Sequence, residues 1–398
     1  MSRALFLNDC GIVSPLGRGR LATIRALAAG TRDGLLLRDD LLPGRSVYVG
    51  TVTGDLPAPP AAAASLDCRN NRLMLVALNE IADSVAAAAD RYGRHRIAVV
   101  LGSSTSGIAE GENALSQLRR TGAWPDDYHY RQQETGNLAE FAARALGLTG
   151  PAYTVATACS SSVKVFASAR RLIRAGLADA AIVGGADTLC RMTLNGFAAL
   201  QALAADRCNP FSMARDGITI GEGAAAFLMS EAEGPVQLLG IGESSDAHHA
   251  TAPDPEGGGA ILAIRQALDD AGLHAEAIDY INLHGTGTPL NDAMESKAIA
   301  RIFGSGTACS STKGMTGHML GATGGCEAAL LWLTLDPASG AEMLPPHLWD
   351  GRPDPALPPL NLVGPGTALP ERRRLAMLSN SFGFGGSNVA LILGRGWA

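Results

Sequence analysis

Apolar residues follow two alternating patterns in the first part of the chain. Short runs of β-branched and small residues predict buried strands, whereas longer stretches with apolar residues every three to four positions predict helices. The predicted strands are 97–101, 152–157, 180–183 and 224–229. The predicted helices are 71–89, 138–146 and 160–175. Strands and helices that alternate in this way are typical of an α/β fold with a buried sheet.

The same alternation resumes after residues 231–235. Predicted helices lie at 261–271, 292–302 and 326–335, and predicted strands at 278–283, 375–379 and 389–393. The segment from Val99 to Thr105 also resembles the segment from Asn282 to Thr288. The pattern therefore predicts two pseudo-repeated halves, residues 1–235 and 236–398.

Composition indicates a large globular protein and argues against nucleic-acid-binding, membrane-spanning and disulfide-rich proteins. The chain has 398 residues, 46% of them hydrophobic, 48 glycines and a formal charge of -6, so nothing global favours binding to nucleic acid or membranes. No apolar run approaches the length of a membrane span, and no basic-then-apolar leader opens the sequence. Seven scattered cysteines without a CxxC pair predict a reducing, cytoplasmic location and neither disulfides nor a metal site.

Cys159 stands where a short strand-like run changes into a helical pattern. The segment Tyr153-Thr-Val-Ala-Thr-Ala-Cys159-Ser-Ser-Ser162 places its sulfur at a predicted helix N-terminus. Unpaired backbone N–H groups and the helix dipole favour a thiolate there, which is the reactive form. The alternative is a buried, inert cysteine, because free cysteine is among the most buried residue types.

Two histidines and one further loop share a glycine-rich context. His284 follows a predicted strand in His284-Gly-Thr-Gly-Thr-Pro289, and His318 lies in Lys313-Gly-Met-Thr-Gly-His318. Open α/β sheets bind ligands at strand ends, so His284 is a candidate site residue. The loop from Asn380 to Asn388, also glycine-rich, predicts close backbone approach and main-chain N–H donors at a site.

With these motifs in place, the chain resembles the β-ketoacyl-acyl-carrier-protein synthases, specifically the elongating type with a Cys-His-His triad. Blocks in the family's order carry the resemblance, and the opening Gly11 to Gly17 also fits it. These blocks are 157–159, 209–223, 284–289, 313–321 and 380–388. The resemblance implies a thiolase fold, in which two pseudo-equivalent halves form a five-layer αβαβα sandwich. The nucleophile would lie in residues 1–235 and both histidines in residues 236–398.

The resemblance also implies a role for each matched residue. Cys159 would hold an acyl group, His284 and His318 would stabilise the enolate formed when malonyl thioester loses carbon dioxide, and the N–H groups of Cys159 and Phe384 would form an oxyanion hole. Lys313, paired with the carboxylate of Glu295, would complete the catalytic set or would form a buried ion pair that only shapes the His318 loop. The reaction would be a decarboxylative condensation that yields a β-ketoacyl product.

Other residues near the site have supporting roles by the same resemblance. Thr286 and Thr288 would bind the phosphopantetheine arm or stabilise their own turn, and Phe382 would pack against substrate or simply fill space. Glu295 and Asp292 are expected to be structural. No dissociable cofactor and no metal is implied, because 4'-phosphopantetheine arrives on the acyl-carrier protein.

The implied partners are an acyl-carrier protein and a second condensing-enzyme subunit, either a second copy of this chain or a paralogue. Because carrier proteins are acidic, a local basic patch is expected to dock them. The candidates are Arg69, Arg72, Arg119 and Arg120.

Departures from the commonest family pattern leave the pathway open. Ser160 to Ser162, Gly287 and Asn291 replace frequent family residues, and the segments Arg69–Leu73 and Thr105–Gly111 resemble the aryl-polyene branch. Three other classes fit the sequence less well. A non-catalytic chain-length-factor-like subunit normally lacks the nucleophile, and a degradative thiolase needs a second cysteine in the C-terminal loop. A papain-like hydrolase needs a His-Asn/Asp partnership that these histidine contexts do not resemble.

Overall fold

The computed structural model describes residues 3–397, which form a mixed α/β structure. Its helices are α1 (Arg20–Ala29), α2 (Arg69–Glu80), α3 (Ala82–Tyr92), α4 (Ile108–Thr121), α5 (Asn137–Leu146), α6 (Ser161–Arg174), α7 (Arg191–Ala199), α8 (Gly258–Ala271), α9 (Pro289–Phe303), α10 (Lys313–Thr316) and α11 (Thr323–Leu335). The single predicted helix over 71–89 is two helices, because the backbone leaves helical geometry at Ile81.

Fifteen strands complete the described part of the chain. They are β1 (Leu5–Ser14), β2 (Gly17–Arg18), β3 (Leu35–Leu42), β4 (Arg45–Gly50), β5 (Ile97–Gly102), β6 (Ala152–Val155), β7 (Ala180–Asp187), β8 (Ile220–Gly221), β9 (Gly223–Ser230), β10 (Val236–Ser245), β11 (Tyr280–Asn282), β12 (Ala308–Ser310), β13 (Asn361–Leu362), β14 (Leu375–Gly383) and β15 (Ser387–Arg395).

The strand order repeats between the two halves of the chain. The N-terminal half has the order β6-β5-β7-β9-β1, and the C-terminal half has β12-β11-β14-β15-β10, with β13 beyond β12. In both halves the second strand is parallel to its two neighbours, and the fifth is antiparallel to its own. β5 and β11, whose following segments resemble each other in sequence, hold the same place in this order. The predicted pseudo-repeat is therefore confirmed.

Two central helices separate the halves and build the main core. α6 packs on β5 and β7, α11 packs on strands of both halves, and the two helices contact each other. All residues of α11 are buried, as expected for a helix covered on every side. α2 and α5 cover the outer face of the N-terminal strands, and α8 and α9 cover that of the C-terminal strands. This is the predicted five-layer αβαβα arrangement.

Of the four remaining strands, β2 pairs with β1 and the other three lie outside this sandwich. β3, β4 and β8 form a separate three-stranded sheet, which packs through its own small apolar cluster. Across residues 3–397, none of the helices combines the length and apolar character that crossing a membrane requires.

Candidate active site

Cys159 lies immediately before α6, at the point where the chain turns out of the β6 segment. Ala158 has a positive φ of 50°, a strained geometry for a residue with a side chain, which turns the next residue sharply. Ser161 fixes this turn, because its hydroxyl donates to Ala158 O at 2.6 Å and accepts from the N–H of Thr157 at 2.9 Å. The predicted position of Cys159 at a helix start is confirmed.

Both predicted histidines come from the C-terminal half and converge on this sulfur. His318 Nε2 lies 3.0 Å from Cys159 Sγ, and His318 Nδ1 lies 2.9 Å from Thr323 Oγ1. The His284 ring is nearly perpendicular to that of His318, with ring centroids 5.3 Å apart. His284 follows β11 by two residues, so its predicted place at a strand end is confirmed.

Burial makes all three side chains favour their neutral forms. It raises the pKa of the Cys159 thiol to about 12, although Lys313 and the N–H groups of Phe384 and Cys159 act in the opposite direction. Burial, followed by the charge of Lys313, holds the pKa of both His284 and His318 well below the usual value. The expected preference for a thiolate is therefore not met, because desolvation raises the pKa of Cys159 more than the nearby N–H groups lower it.

The glycine-rich loop at the end of β14 brings main-chain donors to the sulfur. The N–H of Phe384 is directed at Cys159 Sγ and stabilises its charged form. Gly383 lies so close to this turn that an added Cβ would be 3.0 Å from Thr157 O and 3.3 Å from Cys159 N. The N–H groups of Cys159 and Phe384 therefore both lie beside the sulfur, and their role as an oxyanion hole stays a prediction.

Lys313 is buried near the triad, but its partner is not the predicted one. Its Nζ lies 2.6 Å from Glu327 Oε1 on α11, and both side chains are inaccessible to solvent. The predicted pairing with Glu295 is wrong. Glu295 instead accepts the backbone N–H groups of His284 and Gly285, each at 2.7 Å. It thereby shapes the turn that presents His284.

Asp292 also supports this turn from within. Its carboxylate accepts the N–H of Phe211 at 2.7 Å and that of Gly287 at 3.2 Å. The hydroxyls of Thr286 and Thr288 lie 3.0 Å apart, beside the cavity that leads to the triad.

Sequence reasoning missed Thr323 and Glu327, the α11 residues that contact His318 and Lys313. They lie four positions apart and hence on one helix face. The signal was a lone glutamate in the apolar stretch 326–335, because an unpaired glutamate is almost never fully buried.

A cavity of about 290 Å³ connects the triad to the surface. Its walls include Thr286, Thr288, Phe382 and Phe384, together with Leu290 near the outside. Phe382 is buried and contacts the His284 ring, with centroids 5.8 Å apart, whereas Phe384 is 39% exposed and contacts Phe197. The cavity is mostly apolar, which suits an acyl chain or a pantetheine arm more than a charged metabolite.

The triad has ligand types that metals use, but its spacing fits a hydrogen bond better. The ligand atoms of Cys159, His284 and His318 lie within 4.8 Å of one another. Zinc–sulfur and zinc–nitrogen bond lengths place tetrahedral ligands about 3.5 Å apart. The sulfur and His318 Nε2 are closer than that, at 3.0 Å.

The four arginines predicted to dock a carrier protein differ in their surroundings. Arg69 pairs with buried Glu222 at 2.6 Å, and Arg72 pairs with Asp67 at 2.5 Å. Arg119 and Arg120 lie exposed in the last turn of α4. Docking stays a prediction, and it rests more firmly on Arg119 and Arg120, because the charge of Arg69 is already compensated inside the fold.

Known proteins resemble the whole chain. Family models described as "Beta-ketoacyl synthase, N-terminal domain" and "Beta-ketoacyl synthase, C-terminal domain" match residues 58–234 and 236–347. A 3-oxoacyl-[acyl-carrier-protein] synthase 2 from Coxiella burnetii is 31% identical over 99% of both chains. The protein of the same name from Staphylococcus aureus (strain COL) is 36% identical over 75% of this chain and 74% of its own.

Solved structures agree with these relatives. A structure described as a ketosynthase (ApeO) in complex with its chain length factor (ApeC), from Xenorhabdus doucetiae, matches with 47% identity and a TM-score of 0.93 over 99% of this chain and 98% of that one. The ishigamide ketosynthase/chain length factor matches with 29% identity and a TM-score of 0.88 over 99% and 100% of the two chains.

Proposed function

The chain belongs to the β-ketoacyl synthase family, and we propose that it catalyses the decarboxylative condensation of a Cys159-bound acyl group with malonyl-acyl-carrier protein. The observation that supports this most is the convergence of Cys159, His284 and His318 on one cavity. The products would be β-ketoacyl-carrier protein and carbon dioxide, which makes the enzyme an acyltransferase.

In the loading step, the sulfur of Cys159 attacks the thioester carbonyl of an acyl-carrier protein. His318 Nε2, 3.0 Å away, accepts the thiol proton and returns it to the departing carrier thiol. The N–H groups of Cys159 and Phe384 stabilise the charge that develops on the carbonyl oxygen. One thioester forms and one breaks, so the step is balanced without a cofactor.

In the condensation step, malonyl-carrier protein occupies the same cavity. Its thioester oxygen is placed near His284 and His318, which stabilise the enolate as the carboxylate leaves as carbon dioxide. The enolate carbon then attacks the acyl carbonyl on Cys159, a carbon–carbon bond forms, and the carbon–sulfur bond breaks. The departing Cys159 thiolate takes up a proton from water to restore the thiol. Neutral imidazoles suit this step because they donate a hydrogen bond without releasing a proton to the carbanion. His318 does so in the tautomer with hydrogen on Nε2, in which Nδ1 accepts from Thr323 Oγ1, and this tautomer replaces that of the loading step once Cys159 is acylated.

We also propose what the enzyme needs besides the triad: its cofactors, its contacts with the pantetheine arm and the carrier protein, and its location. No dissociable cofactor or metal is needed, since 4'-phosphopantetheine is carried by the acyl-carrier protein. Thr286 and Thr288 line the cavity and are proposed to bind that arm. Arg119 and Arg120 are proposed to contact the carrier. A cytoplasmic location is proposed because all seven cysteines are unpaired.

A second subunit is proposed to pack along β6. This strand ends the sheet, pairs only with β5 among the described residues, and exposes Tyr153. An open strand edge of this kind favours pairing with another chain. Complexes of ketosynthases with chain length factors support a paralogous partner, and a second copy of this chain is the other option. The assembled triad argues against a non-catalytic role for this chain itself.

We also propose that the enzyme serves a dedicated pathway. The 47% identity to the ketosynthase–chain length factor structure exceeds the identity to the curated 3-oxoacyl-[acyl-carrier-protein] synthase 2 relatives. This difference favours a dedicated polyene or polyketide-type product, including an aryl polyene, over housekeeping fatty-acid elongation.

The proposal is tested by intact-mass spectrometry with a panel of acyl-carrier proteins. Wild type is expected to gain one acyl group and then to give a two-carbon-extended product with malonyl-carrier protein. Cys159→Ala, with the other six cysteines unchanged, is the matched control and is expected to gain none. Acylation of Cys159→Ala, or extension of an acyl group that never reaches the enzyme, would overturn the assignment.

A further inference from the structure

His347 is a buried histidine that none of the steps above uses. It is 2% exposed and lies on the segment between α11 and β13. Its ring contacts Phe211 and Trp349, with centroid distances of 6.0 and 5.5 Å. A buried imidazole needs a partner for each ring nitrogen, and His347 has both.

These partners fix which nitrogen carries the proton. The backbone N–H of Ser311 donates to His347 Nδ1 at 3.1 Å, and His347 Nε2 lies 3.1 Å from Pro210 O. An N–H group can only donate and a carbonyl can only accept, so Nδ1 offers a lone pair and Nε2 carries the hydrogen. Burial lowers the pKa of His347 to about 4, which keeps the ring neutral in neutral solution.

The Ser311 segment and the Pro210–Phe211 segment, which His347 joins, also contact the turn after His284. Ser311 Oγ donates to Gly285 O at 2.6 Å. A Cβ added to Gly285 would lie 2.6 Å from Ser311 Cβ and 2.7 Å from Phe211 Cε2. The backbone of Gly285 is therefore wedged between Ser311 and Phe211, directly beside the catalytic histidine.

We propose that His347 is a positioning residue for His284, acting by holding Ser311 and the Pro210–Phe211 segment at a fixed distance across Gly285. We call the two hydrogen bonds of His347, to Ser311 and to Pro210, the brace. Without them, Ser311 and Phe211 can move apart, and the His284 imidazole can turn away from the enolate. The inference rests on the proposed function, because it assigns His284 to the malonyl half of the reaction.

Cys159 lies outside this brace. Among the described residues, the hydrogen bonds and ring contacts of His347 involve neither α6 nor the Phe384 loop. Loading of Cys159 and decarboxylation of malonyl thioester should therefore respond differently to changes at His347. A displacement of about 1 Å costs roughly 100-fold in rate, so a reduction of about 10- to 100-fold is expected for decarboxylation alone.

A series of substitutions separates the two hydrogen bonds. His347→Asn can still accept from the N–H of Ser311, His347→Gln can still donate to Pro210 O, and His347→Phe can do neither. Ser311→Ala removes the contact with Gly285 O at 2.6 Å and a longer one at 3.3 Å, in which Ser311 Oγ accepts the N–H of Lys313. Cys309→Ala is the matched control, because it empties a buried position on neighbouring β12 without touching the brace.

The experiment measures the two half-reactions on each full-length variant. Enzyme is loaded from octanoyl-carrier protein, or from the acyl group that wild type prefers, and loading is followed by intact mass. Loaded enzyme is then mixed with malonyl-carrier protein, and carbon dioxide release is timed. We expect loading within about twofold of wild type for every variant, with decarboxylation slowed most in His347→Phe and least in His347→Asn.

Two results would overturn the inference. One is a His347 series with wild-type decarboxylation, and the other is a loss of loading and decarboxylation in equal proportion, as a purely structural role would give. If His347→Phe does not fold, His347→Asn and Ser311→Ala decide the question by the same split. Failure of wild type itself to release carbon dioxide would instead contradict the proposed function.

Discussion

The ammonium group of Lys313 lies 2.6 Å from the carboxylate of Glu327, and both side chains are closed off from solvent. The pair links the segment that carries His318 to central helix α11. The charge of Lys313 also contributes, after burial, to the low pKa of both catalytic histidines. One ion pair therefore serves both the fold and the protonation state of the site.

Breaking the Lys313–Glu327 ion pair should destabilise the folded protein. Lys313→Met leaves Glu327 buried and unpaired, and is expected to lower the free energy of unfolding by about 3–5 kcal/mol. Lys297→Met, which removes the exposed pair with Glu256, is the control and should cost about 1 kcal/mol or less. Urea denaturation measures both, and equal losses would contradict the role of burial.

Cys159 should react as a thiol with a high pKa before it is acylated. Because burial raises its pKa to about 12, the thiolate fraction should rise about tenfold per pH unit between pH 7 and pH 9. The alkylation rate with iodoacetamide should rise in parallel, with Cys159→Ala as the blank for the other cysteines. A rate that is constant between pH 6 and pH 8 would show a preformed thiolate instead.

Phe382 and Phe384 of the C-terminal loop should differ in role: Phe382 should matter for stability and Phe384 for the choice of acyl chain. Phe382 is buried, so Phe382→Ala is expected to lower the free energy of unfolding by about 3 kcal/mol or more. Phe384 is partly exposed at the cavity, so Phe384→Ala should cost about 1 kcal/mol or less but change the preference for acyl chains during loading. Thermal unfolding and the acyl-carrier panel test the pair. A larger stability loss in Phe384→Ala would reverse the assignment.

Acid should destabilise the protein partly through His347. Its pKa is about 4 in the folded state and about 6.5 when exposed, so the unfolded chain takes up a proton that the folded chain does not as pH falls below about 6.5. This contribution lowers the free energy of unfolding by up to about 3 kcal/mol at pH 4. His347→Phe lacks it and should lose less stability between pH 7 and pH 4.5 in urea titrations. Parallel losses in both proteins would contradict the lowered pKa of His347 in the folded state.

Local patterns were enough to place Cys159 and His284. Each lies at the junction of a strand with a turn or helix, and hydrophobic periodicity marks such junctions directly. The repeated strand order was also visible in outline, because β5 and β11 precede similar segments. What these observations share is that they depend on residues close together in the sequence.

Local sequence patterns could not predict the ion-pair partner of Lys313 or the pKa of Cys159. Lys313 meets Glu327 rather than Glu295 because the tertiary fold brings the start of α10 next to Glu327 of α11. The thiol pKa depends on burial by both halves of the chain, which only the assembled fold determines. His347 was overlooked for the same reason, since its partners Pro210 and Ser311 lie far from it in sequence.

The most direct test follows carbon dioxide release and product mass in one reaction of acyl-carrier protein, malonyl-carrier protein and enzyme. Wild type should release one carbon dioxide for each β-ketoacyl product, Cys159→Ala should form no product, and His284→Ala should load the acyl group but release carbon dioxide far more slowly. Extension that persists in Cys159→Ala, or carbon dioxide release that is unchanged in His284→Ala, would contradict decarboxylative condensation at this site.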